Sequence, residues 1–462
     1  MSRPVSACRS AVVALLAAFS ALASAQTPAS SELSLDALRH GSHMSWSQAQ
    51  RDVAFAQWDR LYPNRVVARG PQAKPLPEGA PLPAFAAGGP GAAQLQRSID
   101  EFQLAGIVVL HDGRLRLERY ARGHSAAGRW VSFSIAKSLT STLMGAAIHD
   151  GAVAGVDDPV TRYIPELRDS AYDGVTLRHL LTMSTGAKWN EDYGDPGADV
   201  ALFHSMPVDA GLDATVSYMK KLRREVAPGT RWLYNTGETN LIGAVVERAT
   251  KKELAAYASE KIWARYGMEQ DAAWTLDRSG HVHAGCCLQA ATRDFARFGQ
   301  FILDGARADG KPVVADGWLD AATRKQADIG APGRGYGYQW WTNDNGTFSA
   351  IGIHGQQVLI DPGRRLVIAI NSAWPVADFN AESLAARLAL IGAIRTAIDA
   401  RSPALPASER ARRGASCVRD DAPTGSIGLR RHPSHALPFP SPSLPVGAGS
   451  RAESFALLQR PR

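Results

Sequence analysis

Cysteine is scarce: the 462 residues hold four, at Cys8, Cys286, Cys287 and Cys417. Two are neighbours and the others lie near the termini, so no disulfide framework is available and the fold must rest on its apolar core. No stretch reaches about 18 uninterrupted apolar residues, and no membrane-spanning helix is expected. Gly-x-Ser-x-Gly is absent, which removes the strained strand-to-helix serine elbow. Charge is thin as well where it would matter. The formal net charge is +7, but residues 1–25 carry Arg3 and Arg9 without an acid, giving +2, and residues 401–462 carry ten Arg against Glu409, Asp420, Asp421 and Glu453, giving +6. Subtraction leaves −1 for residues 26–400, so a basic face for nucleic acid or an anionic membrane is not expected.

What is present begins with a leader. Arg3 and Arg9 precede the apolar run Ala11–Leu22 and the small-residue site Ala23-Ser24-Ala25, which reads as a signal peptide cleaved near Ala25, with export to the periplasm or medium. Cys8 lies upstream of the apolar run and leaves with the leader. Residues 26–92 are expected to be an N-terminal arm and wrapping segment. The part up to residue 45 is low in pattern, and residues 70–92 hold six prolines. Residues 41–44 read Gly-Ser-His-Met, like a tag scar, and are taken as coincidence. Residues 401–462, with nine of the chain's 27 prolines, are expected to form a disordered Pro/Arg-rich tail.

With 45% hydrophobic and 21% charged residues, the body can bury a sizeable core. Leu104–Leu110 and Leu115–Tyr120, divided by Asp112-Gly113, predict a hairpin. Ile135–Ile148 predicts a buried helix. Helical patterns dominate from about 155 to 280, clearest at 175–183, 212–221 and 238–249. Phe295, Phe298, Phe301 and Ile302 recur at helical spacing within Thr292–Leu303. Strands return at Phe348–Ile353, Gln356–Ile360 and Leu366–Asn371, and Ala385–Ile398 closes the body at about residue 400. The order predicts a mixed α/β (α+β) domain over 93–400. An antiparallel sheet would be built from both chain ends and flanked by helices, with an inserted all-helical lobe at about 155–280 and a cleft between lobe and sheet.

Three motifs point into that cleft. Ser134-Ile135-Ala136-Lys137 puts a serine at a helix start and a lysine one turn later on the same face. Burying that amine lowers its pKa and lets it accept the serine proton. The competing reading is a plain N-cap with a snorkelling lysine. Ser217-Tyr218-Met219-Lys220 repeats the pattern but runs into a charged face. Tyr234-Asn235-Thr236 follows a turn and enters a helix. Tyr234 suits a proton shuttle, and Thr236 a hydrogen bond to the lysine or the substrate. Ile351-Gly352-Ile353-His354-Gly355 lies on a late strand. Gly352 leaves room there for a ligand or another backbone, and N–H groups of that edge with that of Ser134 suit an oxyanion.

In this order and spacing the motifs resemble the serine β-lactamase and penicillin-recognising superfamily in its class C branch, nearest the 6-aminohexanoate-dimer hydrolases and related esterases, over roughly residues 50–400. The resemblance implies a β-lactamase/transpeptidase-like fold and acylation of Ser134. It assigns proton transfer to Lys137 and Tyr234, and oxyanion binding to the N–H groups of Ser134 and Ile353. Trp189-Asn190-Glu191-Asp192-Tyr193 matches an acidic loop whose tyrosine reaches the substrate, which makes Tyr193 a candidate contact. Lys-Thr-Gly is missing. Without that lysine to meet a β-lactam carboxylate, a penicillin substrate is disfavoured.

The reading is therefore a serine hydrolase acting on a small-molecule amide or ester, without cofactor or metal, nucleic-acid partner or stable membrane anchor. The alternatives are a class C-type β-lactamase or D-alanyl-D-alanine peptidase, and a non-catalytic binding protein on the same fold. Two motifs are set aside. Gly305 to Lys311 has the spacing of a phosphate loop, but Pro312 replaces the Ser/Thr that would hold magnesium. His281, His283, Cys286 and Cys287 cluster suggestively for zinc, yet adjacent cysteines do not easily aim at one ion, and a vicinal disulfide or buried thiols are expected instead.

Overall fold

The computed structural model describes residues 33–377 and 380–400. The leader, the 401–462 tail, Cys8 and Cys417 lie outside the described residues. Both ends of the body meet in a seven-stranded antiparallel sheet. Its spatial order is Arg114–Tyr120, Leu104–His111, Leu366–Ser372, Gln356–Asp361, Phe348–Gly352, Trp341–Asn343 and Arg334–Tyr336. The junction of early and late chain is the pairing of Leu104–His111 with Leu366–Ser372, where Val109 faces Ile368. The first hairpin turns at Asp112 and Gly113, both at positive φ (50° and 71°), the geometry whose twist suits a two-residue connection.

Each sheet face is covered by helix. On one side Val108, Leu110, Val358 and Val367 pack against Phe295, Phe298 and Phe301 of the helix Thr292–Leu303. A Cβ on Gly299 would come within 2.5 Å of Val367 Cγ1, so that helix lies close on the strands. On the other side Ile107, Val109, Ile368 and Ile370 meet Leu390, Ile391 and Ile394 of the helix Ala381–Asp399 and Leu95 and Ile99 of the helix Pro90–Asp100. Strands covered on both faces read as continuous apolar runs rather than as alternation.

Helix Ile135–His149 is buried from Ile135 through Ala147. A helix apolar on all sides belongs in the interior, and the hydroxyls it carries must find partners there. They do: Ser138 Oγ donates to Gln339 O at 2.7 Å, Ser141 Oγ to Tyr338 O at 2.7 Å and Thr140 Oγ1 to Ala284 O at 2.6 Å. These bonds tie the helix to the sheet side and to the segment 284–287.

Two expectations need correction. The region 155–280 is not all helical. It holds helices at Leu177–Leu181, Asp199–Phe203, Ala214–Met219 and Thr236–Thr250, but Ala272–Thr275 is a strand. That strand is buried at every position, which erases the period-two pattern that would have revealed it. It belongs to a second antiparallel sheet ordered Asn64–Val67, Ala272–Thr275, Leu288–Ala290 and Trp130–Val131. Nor are residues 34–67 an arm. Helices Leu35–Arg39, Gln48–Ala56 and Trp58–Leu61 bury Leu38, Trp46, Phe55, Trp58 and Leu61 against Trp130 and Phe133. Residues 70–89 do cross the surface with little regular structure. Among the set-aside motifs, Arg307–Ala308 and Lys311–Pro312 form a two-stranded hairpin turning at Asp309 and Gly310.

Trp58 tests whether the N-terminal segment is structural. Its indole is 5% exposed and donates to Thr275 Oγ1 at 3.1 Å. Trp58→Ala should destabilise the protein by about 3–5 kcal/mol, measured by urea unfolding. A change under about 1 kcal/mol, as at an ordinary surface site, would mean that the segment is not part of the core.

Candidate active site

The strand Trp130–Val131 ends in a sharp reversal before the buried helix. Phe133 has a φ of 44°, and the next residue, Ser134, lies at the helix start. Its side chain caps no helix N–H, so the plain capping role does not apply. Ser134 Oγ instead accepts from Lys137 Nζ at 3.0 Å. Lys137 is 1% exposed and spends its other two donors on Thr236 Oγ1 at 2.9 Å and Gly285 O at 2.8 Å. Burial pulls its pKa down to about 8, while the nearby Glu191 carboxylate pushes the other way. With three donors aimed at three acceptors, the ammonium is fully satisfied. Loss of one proton leaves a lone pair that can face the Ser134 hydroxyl.

Tyr234-Asn235-Thr236 is held by the helix it opens. Asn235 Oδ1 accepts from Glu238 N–H at 3.1 Å as the N-cap of Thr236–Thr250. The Tyr234 ring lies under the amine, with Lys137 Nζ 5.1 Å from its centroid, and stacks on Trp341 at 5.6 Å. Thr236 links the lysine to an acid that the motifs did not reveal. Its hydroxyl donates to Glu191 Oε1, and its N–H donates to Glu191 Oε2 at 3.0 Å. Glu191 is 6% exposed and also accepts from Trp189 Nε1 and, at 2.8 Å, from Tyr193 OH. Tyr193 therefore lines the site with its hydroxyl donated to Glu191. The sequence signal was the acidic loop 189–193, but nothing in it distinguished the member that faces inward. Burial holds the Glu238 carboxyl well above its ordinary range, and it accepts from Thr185 Oγ1 beneath the same loop.

The third motif closes the other side. A Cβ on Gly352 would lie 2.3 Å from Ser132 O and 3.1 Å from Ser134 N. The space that glycine leaves is filled by another backbone, the one that presents the serine, rather than by a ligand. Ile353 follows and lines the same cavity as Ser134. His354 sits at φ 56° in the turn to Gln356, fully buried, with Nδ1 2.7 Å from Trp374 O. Burial lowers its pKa to about 3, so it is a neutral ring fixing the turn.

Ser134, Tyr193, Thr236 and Ile353 open into a cavity of about 750 Å³ walled by Trp58, Phe133, Val200, Phe203 and Leu276, while Lys137 and Tyr234 lie behind its lining. Gly41, Ser42, His43 and Met44 form part of the wall, so the tetrapeptide taken as coincidence is part of the site. Cys286 and Cys287 are joined as a vicinal disulfide and also line it. The proposed histidine pair separates: His281 pairs with Glu247 at 2.8 Å, while the neutral His283 faces the cavity beside His204, ring centroids 4.8 Å apart. Ser217, in the repeated Ser-x-x-Lys, accepts from Asp209 N–H at 2.9 Å, and Lys220 pairs with Asp209 at 3.7 Å.

Comparison with known proteins places the family and the fold. The family described as Beta-lactamase matches residues 88–393. The 6-aminohexanoate-dimer hydrolase of Paenarthrobacter ureafaciens is 31% identical over 367 residues, covering 76% of this chain and 90% of that protein. Among solved structures, a Bacillus anthracis protein provisionally named a 6-aminohexanoate-dimer hydrolase superposes with a TM-score of 0.69 at 23% identity, covering 82% of this chain and all of that one. A family VIII carboxylesterase superposes with a TM-score of 0.54 at 16% identity, covering 69% and 99%.

Gly352→Ala should show how closely the strand edge and the serine turn depend on each other. A methyl group 2.3 Å from Ser132 O must displace one backbone or the other. The rate at which a fluorophosphonate labels Ser134 should fall by roughly 10²-fold, the scale of a displacement near 1 Å. Labelling at the wild-type rate would show that the contact does not govern Ser134.

Proposed function

The chain belongs to the beta-lactamase family, and from that membership we propose that Ser134 is the nucleophile of an amidase or esterase working through an acyl-enzyme. The protein is a serine hydrolase of this family. The observation that carries the assignment of its centre is the buried contact between Lys137 Nζ and Ser134 Oγ at 3.0 Å, with the amine pulled down to about 8. Neutral Lys137 takes the hydroxyl proton as Oγ attacks the substrate carbonyl. The N–H groups of Ser134 and Ile353 hold the oxyanion. Tyr234, whose ring faces the same amine, passes the proton to the departing amine or alkoxide. Water then attacks the acyl-enzyme by the reverse route.

The substrate class follows from the pocket and the relatives. The wall is largely aromatic and aliphatic, and the strand facing Ser134 carries Ile351-Gly352-Ile353 where a penicillin-recognising enzyme would place Lys-Thr-Gly. A linear amide or ester with an apolar acyl part fits this wall, in keeping with the dimer hydrolase and carboxylesterase relatives. Export after cleavage near Ala25 belongs to the same reading, since an oxidising compartment suits the Cys286–Cys287 disulfide.

Intact-mass measurement after exposure to activated esters, 6-aminohexanoate dimer and β-lactams should show an acyl adduct with the ester or the linear amide and none on Ser134→Ala. An equal adduct on both proteins would remove Ser134 from the mechanism, and an adduct with β-lactams alone would favour the penicillin reading. The pH dependence follows from the lysine. Below about 8 Lys137 is protonated and cannot accept, so ester acylation should rise with pH and level off above that value. Glu191→Gln removes the charge that favours the ammonium, so the rise should move to lower pH. A rise that stays in place would exclude Glu191 from setting the basicity of Lys137.

A further inference from the structure

The segment His283–Leu288 touches the reacting groups from two sides. Gly285 O is one of the three acceptors of Lys137 Nζ, at 2.8 Å, and its N–H donates to Asn240 Oδ1 at 2.9 Å. Two residues later Cys287 N–H donates to Phe133 O at 3.2 Å, and Leu288 O accepts from Ser132 N–H at 2.8 Å. The reversal that presents Ser134 and the acceptor that aims Lys137 thus hang on one short stretch. Between those two anchors lies the Cys286–Cys287 disulfide.

Closing a ring between adjacent residues removes the torsional freedom of both side chains and of the peptide that joins them. Here it restricts the turn of the chain between Gly285 O and Cys287 N–H. Cys287 is held at a φ of 67°, a left-handed conformation uncommon for a residue with a side chain. The segment is also held through its backbone, by Thr140 Oγ1 on Ala284 O at 2.6 Å, Trp274 Nε1 on His283 O at 2.8 Å and on Cys286 O at 2.9 Å, and Thr275 Oγ1 on Cys287 O at 3.0 Å, none of which restrains the cysteine side chains. Cys286 is half-buried and both cysteines line the cavity that holds Ser134, so a small molecule entering that cavity comes against this pair.

We propose that Cys286–Cys287 is a thiol-exchange site through which a small thiol controls the Ser134–Lys137 pair, an inference that rests on the serine-hydrolase reading. A thiolate in the cavity attacks one sulfur, which breaks the S–S bond, forms a mixed disulfide and releases the other sulfur as a thiolate that takes up a proton. A second thiolate attacks the sulfur of the first in that mixed disulfide, so that the two small thiols join and the remaining cysteine leaves as a thiolate that takes up a proton. The protein gains two electrons and two protons, and the two thiols lose them as they join in a disulfide. Once the ring is open, the turn between Gly285 O and Cys287 N–H is no longer restricted, and acylation slows. Reoxidation restores it.

The test uses the full chain with Cys8→Ser and Cys417→Ser, so that alkylation counts only this pair. After treatment with dithiothreitol under native conditions, mass analysis should find both thiols alkylated. The fluorophosphonate labelling rate of Ser134 and ester turnover should fall together by roughly ten-fold or more, the scale on which a misplaced reacting group costs rate. Reoxidation with diamide should recover both. A Cys286→Ser/Cys287→Ser variant should label at the reduced rate and ignore dithiothreitol. The proposal is overturned if the folded protein shows two free thiols as isolated, if its disulfide resists reduction, or if labelling is the same before and after opening. This last outcome leaves the Ser134 reading standing, whereas an oxidised protein that never labels overturns both.

Discussion

A lysine amine buried to 1% exposure is the constraint on which the site is built. Lys137 sits in the first turn of a helix buried on all sides, where an isolated charge would be costly. The protein brings three oxygens to it, from Ser134, Thr236 and Gly285, which lie far apart in sequence and come from three different elements. Each is a separate demand on the fold. The helix must start at Ser134, the helix Thr236–Thr250 must start beside it, and the segment 283–288 must pass beneath. Satisfying the charged form so completely, while burial still penalises it, leaves the two protonation states close in free energy near neutral pH.

The groups behind these oxygens follow the same logic. Thr236 can accept from Lys137 because its own proton is committed to Glu191, which also fixes Tyr193 and Trp189. A threonine alone could turn its hydroxyl either way, and the carboxylate settles the direction. Glu238, two residues after Thr236, accepts from Thr185 Oγ1, and burial pushes its carboxyl well above the ordinary carboxylate range. Two buried carboxyl groups on neighbouring elements thus have different partners and different tasks.

Much of this was legible in the sequence where a pattern is local. The Asp112-Gly113 turn, the helix from Ile135, the Phe-rich helix Thr292–Leu303 and the closing strands all appear near their expected bounds. So do Ser134, Lys137 and Thr236 as neighbours, because serine and lysine share a helix face and the threonine opens the next motif. The signal failed where residues are buried on all sides or act through distant partners. Ala272–Thr275 has no alternation to read. Arg334–Tyr336 and Trp341–Asn343 are three residues each and passed unnoticed. Glu191 looked like one acid in an acidic loop, and only the fold turns it toward Thr236. Residues 26–92 read as an arm and wrapping segment, low in pattern up to residue 45, although the anchors within 34–67 include large aromatics whose partners, Trp130 and Phe133, lie some 70 residues or more away.

That last placement bears on how the molecule assembles. Gly41 to Met44 wall the same cavity as His283, Cys287 and Ile353. The N-terminal stretch is synthesised first, yet the cavity wall it shares reaches to Ile353, so that wall needs most of the chain. Contacts of such wide sequence separation form late and slowly. The pocket is therefore completed at the end of folding, and a chain still emerging from the ribosome has the serine and the lysine but no chamber around them.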